Sequence, residues 1–251
     1  LIYEIKDRVS VVSTWKQVGL FLILIFMCNS AVYALDASVH GSLKTFFLGL
    51  YNPQYQEDLY GLSDNAFRLN ARVYPSDNLL FEAAYGVTPE VVSSELLDSG
   101  VADAFLSTVS GAQEYRAVDF DERLYPVDDE DMRNLGIYHN LDRFYGSVYL
   151  PFGDLYIGRQ AVSWGSAHVI NPTDIIAPYS FTGLNTEEKR GVDAVRLRVP
   201  VGTMSELDIG YVAGKEFDLA KSAAFARVRG YLASTDISLL TMDFRENLLI
   251  G

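Results

Sequence analysis

Along most of this chain every second residue is apolar. In 66–74, Phe67, Leu69, Ala71 and Val73 share one parity and Arg68, Asn70 and Arg72 the other. In 79–86, Leu79, Phe81, Ala83 and Tyr85 oppose Glu82. In 143–150, Phe144, Val148 and Leu150 oppose Arg143, Tyr145, Ser147 and Tyr149. The pattern repeats in 193–199 (Val195, Leu197 and Val199 against Arg196 and Arg198) and in 225–232 (Ala226, Val228 and Leu232 against Arg227, Arg229 and Tyr231). In 239–245 it sets Leu240, Met242 and Phe244 against Thr241, Asp243 and Arg245. Period two places successive side chains on opposite faces of a strand, so each stretch predicts a β-strand with one apolar face. Segments 39–50 and 206–213 alternate less cleanly, the first keeping His40, Ser42 and Lys44 on one face.

The links between these stretches alternate in length. Short ones fall at Pro75–Asn78, Pro151–Asp154, Pro200–Ser205 and Ala233–Asp236; long ones cover roughly 51–64, 87–133, 165–190 and 214–222. Tight turns at one end and excursions at the other are the rhythm of a barrel threaded through a membrane. The predicted fold is all-β: an antiparallel transmembrane β-barrel with strands at 39–50, 65–75, 79–86, 136–150, 155–164, 191–200, 206–213, 223–232 and 237–248. Single-chain bacterial barrels carry an even number of strands. The odd number here predicts that 35–251 is the N-terminal part of a larger barrel. One strand breaks the pattern: in 155–164, Leu155 and Ile157 share a face with Arg159. A bulge near Gly158 resets the alternation, or Arg159 lies at headgroup level, where charge is cheap.

The N-terminus reads differently. Lys6, Arg8 and Lys16 precede an apolar run from Val18 to Ala31, and Val32-Tyr33-Ala34 presents a signal-peptidase pattern. Residues 1–34 are predicted to be a secretory signal helix with an upstream extension, cleaved after Ala34. Hydrophobic residues make up 49% of the chain, yet no run reaches the ~20 apolar residues of a spanning helix. Sixteen Tyr and 14 Phe against two Trp suit strands and membrane interfaces. Cys28 is the single cysteine, which excludes an internal disulfide. The formal net charge is −13, and residues 1–34 hold three basic and two acidic residues, so the remainder is more acidic still. That balance argues against nucleic-acid binding.

Candidate chemistry begins with the arginines on the polar parity: Arg68, Arg72, Arg143, Arg196, Arg198, Arg227 and Arg229. In a barrel they line the lumen, where basic rings favour anions. Glu82, Asp208 and Asp243 fall on the same predicted face, so salt bridges bracing the wall are the competing use. Link 87–133 is strongly acidic, with apolar residues at helical spacing over Val91–Val109 and hard oxygen ligands at Asp128–Asp131 that lack the spacing of a calcium loop. No metal site, cofactor or catalytic residue is predicted. Ser163 or Ser166 near His168 and Asp174 has no G-x-S-x-G frame. His40, His139 and His168 lie on separate segments without metal-ligand spacing.

The run Gly158-Arg159-Gln160-Ala161-Val162-Ser163-Trp164-Gly165, followed by Val169-Ile170-Asn171-Pro172-Thr173-Asp174, ends a strand in an aromatic at the expected membrane rim and then turns. Together these two motifs resemble a family of proteobacterial outer-membrane barrels akin to porins, whose biochemical role is uncharacterised; the resemblance is strongest over 143–200. It implies a loop dipping into the pore, with Asn171 and Asp174 at the constriction. The resulting expectation is a passive outer-membrane channel for small solutes, anionic ones included. Its surroundings would be outer-membrane lipid, periplasmic chaperones and the barrel assembly machinery. The alternative is a structural barrel sheath around a partner, such as an electron-transfer or export conduit.

Overall fold

Alternation becomes strands that pair with their sequence neighbours. The computed structural model describes residues 36–51, 59–94, 115–119, 123–126, 134–164, 176, 189–232, 234–244 and 247–251. Its strands are β1 (Asp36–Tyr51), β2 (Leu59–Ser76), β3 (Leu79–Val92), β4 (Arg123–Tyr125), β5 (Leu135–Leu150), β6 (Gly153–Gln160), β7 (Val192–Val201), β8 (Ser205–Val212), β9 (Ala223–Leu232), β10 (Thr235–Phe244) and β11 (Asn247–Ile250). They form one sheet in the order β1-β2-β3-β5-β6-β7-β8-β9-β10-β11, and β4 pairs with β5 off that path. Pairing is antiparallel at every junction from β2–β3 to β10–β11. The sheet is an up-and-down meander with a turn end (77–78, 151–152, 202–204, 233–234) and a loop end (52–58, 93–134, 161–191, 213–222).

Register carries the apolar parity from strand to strand. Val73 lies opposite Phe81, Phe81 opposite Gly146, Gly146 opposite Ile157, and Ile157 opposite Val195. Val195 then meets Tyr211, Leu207 meets Val228, and Val228 meets Leu239. The face so formed is open: Phe81, Phe144, Ile157, Val195, Val228 and Leu239 are 46–58% exposed. Among the described residues no second layer covers it.

The opposite face is polar near the turn end and apolar near the loop end. There Val192, Ala194, Val212, Ala223, Phe225, Leu240 and Met242 form a buried cluster with Val162, Tyr115 and Ile176, which come from the connections. The expected lumen face is therefore not uniformly wet; part of it is a dry core covered by the chain's own loops.

Several strand expectations need correction. The 237–248 segment is not one strand: β10 ends at Phe244 and β11 returns antiparallel, with Phe244 opposite Asn247, so the pairing path carries ten strands among the described residues and the odd count behind the expectation of a larger barrel does not hold. Its faces are also the reverse of the expected ones. Leu240 and Met242 are 6% and 1% exposed and join the buried cluster, while Ile237 and Leu239 are 52% and 55% exposed. The sequence Ile237-Ser238-Leu239-Leu240-Thr241-Met242 changes parity at 239–240, and cross-strand pairing decides: Leu239 matches Val228, which leaves Leu240 opposite Arg227. Asp243 consequently sits on the apolar face opposite Ala224, not with the arginines. β2 and β3 also run further toward the loop end than predicted. Pro89 has no amide to give the ladder. Even so, the β2–β3 ladder resumes beyond it at Asp64–Glu90, and Asn65 Nδ2 donates to the Pro89 carbonyl at 3.4 Å. Val91, placed in a helix by its spacing, is thus a strand residue.

Candidate functional site

Chained registers put Arg68, Arg72, Glu82, Arg143, Arg196, Arg198, Arg227 and Arg229 on one face. Most of these arginines are engaged. Arg72 Nε donates to Glu82 Oε2 at 2.7 Å, and the Tyr145 hydroxyl donates to the same oxygen at 3.1 Å. Arg198 Nη2 pairs with Glu206 Oε2 at 2.5 Å, and Arg196 grips Asp208 through Nε at 2.8 Å and Nη2 at 2.6 Å. Arg72 is 54% exposed, so its pair contributes at most ~1 kcal/mol. Asp208 is 1% exposed; removing one partner there strands a buried charge, at about 3–5 kcal/mol. Arg229 meets Asp236 only at 3.3 Å, both well exposed. Arg227, opposite Asp208, has no ion pair among the described residues.

A bulge builds the second cluster. Ala84 pairs with Arg143 and Tyr85 with Leu141, so Asp142 drops out of the ladder to β3. Its side chain accepts from Arg68 Nη1 at 2.7 Å and from the Gly191 amide at 2.9 Å, and pairs with Arg143 Nη1 at 2.7 Å. Only glycine fits at 191, because a Cβ there would lie 1.9 Å from the Asp142 carbonyl oxygen.

Arg159 organises the loop end. The ladder runs through it without the expected bulge, with Tyr145 opposite Gly158 and Phe144 opposite Arg159. Gly158, at φ +119°, supplies the local turn that a β-branched or bulky residue resists. Nor is Arg159 at an exposed rim: it is 6% exposed. Its Nε and Nη2 bind Asp193 Oδ1 and Oδ2 at 2.8 and 3.1 Å, and Nη1 reaches Asp119 Oδ1 at 3.1 Å and the Leu141 carbonyl at 3.2 Å. Nη2 also donates to the Val118 carbonyl at 2.5 Å. All five guanidinium donors are thereby satisfied, which is what a buried arginine requires.

These contacts fasten residues 115–119 to the sheet. Asp193 Oδ2 accepts from the Ala117 amide at 2.8 Å. Arg116, 1% exposed, donates through Nε to the Gly191 carbonyl at 3.0 Å and through Nη1 to Asp119 at 3.0 Å. Tyr115, 2% exposed, packs near Phe244 with ring centroids 6.0 Å apart. Burial in this apolar setting pushes its phenol up to about 12.

The segment after β6 also turns inward. Residues 155–164 do not form one strand, since β6 ends at Gln160. Trp164, expected at the membrane rim, instead donates Nε1 to Asp208 Oδ2 at 3.0 Å and stands edge-on to Phe225 with centroids 4.6 Å apart. The indole N–H explains the difference: it finds a carboxylate partner on the inner side of the sheet.

The structure thus brings the predicted arginines to one face but consumes most of their charge. Asn171 and Asp174, proposed for the constriction, lie outside the described residues, as do Ser166, His168, the Asp128–Asp131 run and the signal segment. Among the described residues no group of His, Cys, Asp and Glu could hold a metal ion. Alternation did not single out Asp142, Arg159, Asp193 or 115–119 as one unit. The available hint was Leu141-Asp142-Arg143, where two charges in succession interrupt period two. No protein family matches the chain, and neither does any curated protein or solved structure.

Proposed function

We propose that this chain belongs to a β-barrel of the Gram-negative outer membrane and works as a porin-like passive channel for small solutes. One observation carries the reading: a single meander whose apolar face is exposed across successive strands and whose other face is lined with ion pairs. Soluble monomers rarely leave a contiguous apolar surface larger than a few hundred Å². Lipid satisfies that face, and the ladder of strands leaves no backbone group unpaired within the bilayer once the sheet closes. Closure requires that the two open edges, β1 and β11, be covered by strand pairing. The signal segment 1–34 delivers the chain to the periplasm, where chaperones and the barrel insertase receive it. The turn end then faces the periplasm and the loop end faces outward.

Inside, Arg196–Asp208, Arg198–Glu206 and Arg72–Glu82 brace the wall more than they charge it. Arg227 and Arg229 supply the anion preference of the pore. Segments 115–119 and 161–164 narrow it from the loop end. Transport by diffusion along such a wall needs no catalytic residue and no cofactor.

Single-channel recording of the full-length protein in a planar bilayer tests the reading. The expected result is a stable open conductance with a modest anion preference. Absence of conductance unless a second protein co-purifies would favour a sheath around that partner. A mature chain that folds and stays soluble without detergent would overturn the membrane reading.

A further inference from the structure

The corrected position of Asp243 creates a feature that channel activity does not use. On the apolar face, Tyr211 of β8, Ala224 of β9 and Asp243 of β10 lie in one row; one row nearer the turn end, Ile209, Ala226 and Thr241 do the same. The two alanines make a trough in the middle strand, walled by larger side chains on either side. Two such rows span ~7 Å along the strand. At its loop end the trough opens into a cavity of about 340 Å³ lined by Tyr211, Leu219, Ala220, Ala224 and Asp243, among others.

The overhanging wall is a built structure. Asp218 Oδ1 accepts from the Ala220 amide at 3.0 Å, which caps the single 3-10 turn Leu219–Lys221. Ser222 Oγ accepts from the Gly214 amide at 2.9 Å and donates to the Asp218 carbonyl at 2.8 Å. The ledge presents Leu219, 79% exposed, to the same cavity as Ala224. Lys221, the cation on this ledge, is paired with Asp218 at 3.5 Å. Asp243 is exposed and has no ion pair among the described residues. Its carboxylate stands beside the apolar trough, with Tyr211 on the far side of Ala224.

We propose that this cavity binds an amphiphile with an ammonium headgroup, the cation at the Asp243 carboxylate and the aliphatic chain along Ala224, Ala226 and Leu219. Charge complementarity selects the headgroup, because a carboxylate at the edge of an apolar surface is stabilised by a cation and repels an anionic head. The geometry stands apart from the channel reading, which supplies only the natural source, a lipid amine at the membrane interface.

Octylammonium binding to the full chain in neutral detergent, measured calorimetrically below the amphiphile's own micellar range, tests the site. Saturable binding is expected, weakened about three- to five-fold in Asp243→Asn, as for a partly exposed ion pair. Octanol binding should be indifferent to that change. Ala224→Leu, which fills the trough from an exposed position, should weaken both ligands. Unsaturating uptake, or equal octylammonium binding by all three proteins, would mean partition into detergent alone and would overturn the proposal. Should the chain prove soluble without detergent, the same titration runs in buffer, so the site and the membrane reading fail separately.

Discussion

Trp164 shares the Asp208 carboxylate with Arg196: its Nε1 donates to Oδ2 at 3.0 Å, and Arg196 Nη2 reaches the same oxygen at 2.6 Å. One buried acid thus ties a connection to the wall of the sheet. Trp164 and Trp15 are the two tryptophans, and a chain beginning at residue 35 keeps Trp164 alone as its reporter. Asp208→Asn should cost about 3–5 kcal/mol by stranding Arg196. It should also shift the tryptophan emission to longer wavelength. Denaturant titration and fluorescence in detergent measure both.

Replacing an apolar residue on the exposed face separates lipid contact from solvent contact. Leu197→Arg should cost about 2–4 kcal/mol of folding stability in a bilayer if it faces the hydrocarbon midplane. In a soluble sheet the same change at this partly exposed position would be nearly neutral. Reversible unfolding in vesicles gives the number.

The arginines divide into structural and field-setting groups. Arg227→Gln should lower anion preference in reversal-potential measurements while leaving stability within about 1 kcal/mol, because it breaks no ion pair and sets no like charge against Asp208. Arg196→Glu should instead unfold the wall, since it confronts Asp208 with a like charge.

Arg159 controls access to the buried loop segment. Arg159→Met leaves Asp193 and Asp119 without their shared cation and should release 115–119 from the sheet. Arg116, now 1% exposed, would become a trypsin site. Fragment analysis after brief digestion should show cleavage there in the variant and not in the parent.

Tyr115 gives an alkaline signature. Its folded value, about 12, stands above the ordinary tyrosine value of 10.0. The unfolded chain therefore loses this proton first as pH rises. The contribution to stability is intact below about pH 10 and declines through the folded value. Tyr115→Phe should remove that component of the alkaline loss. It should not harm stability at neutral pH, since the hydroxyl is buried without a hydrogen-bond partner.

The strands were legible where one parity was plainly apolar. Segment 223–232 was predicted with its observed limits, 136–150 differs by one residue at its start, and 191–200 is offset by one. Failures arose where local pattern was ambiguous and pairing decided. In β10 both parities carry apolar residues, so the neighbour β9 selected the face and moved Asp243 to the other side. Segment 79–86 was drawn too short because the ladder resumed at Asp64–Glu90 depends on β2, which period two does not show. Trp164 and Arg159 were misplaced because their partners, Asp208 and Asp193, are remote along the chain and period two says nothing about them. The Asp142 cluster needs three separated elements at once, β2, β5 and the Gly191 approach.

β4 has a consequence for how the chain protects itself. β6 pairs with β5 only from Leu150 to Phe144, so the loop-end stretch of β5 lacks that neighbour. Arg123 and Tyr125 pair with Tyr138 and Ile137 in that stretch. The segment comes from the connection just before β5, so it can dock as soon as β5 exists, before anything downstream arrives. A raw edge is the place where foreign strands add on. This chain carries a self-supplied splint for its own edge during assembly.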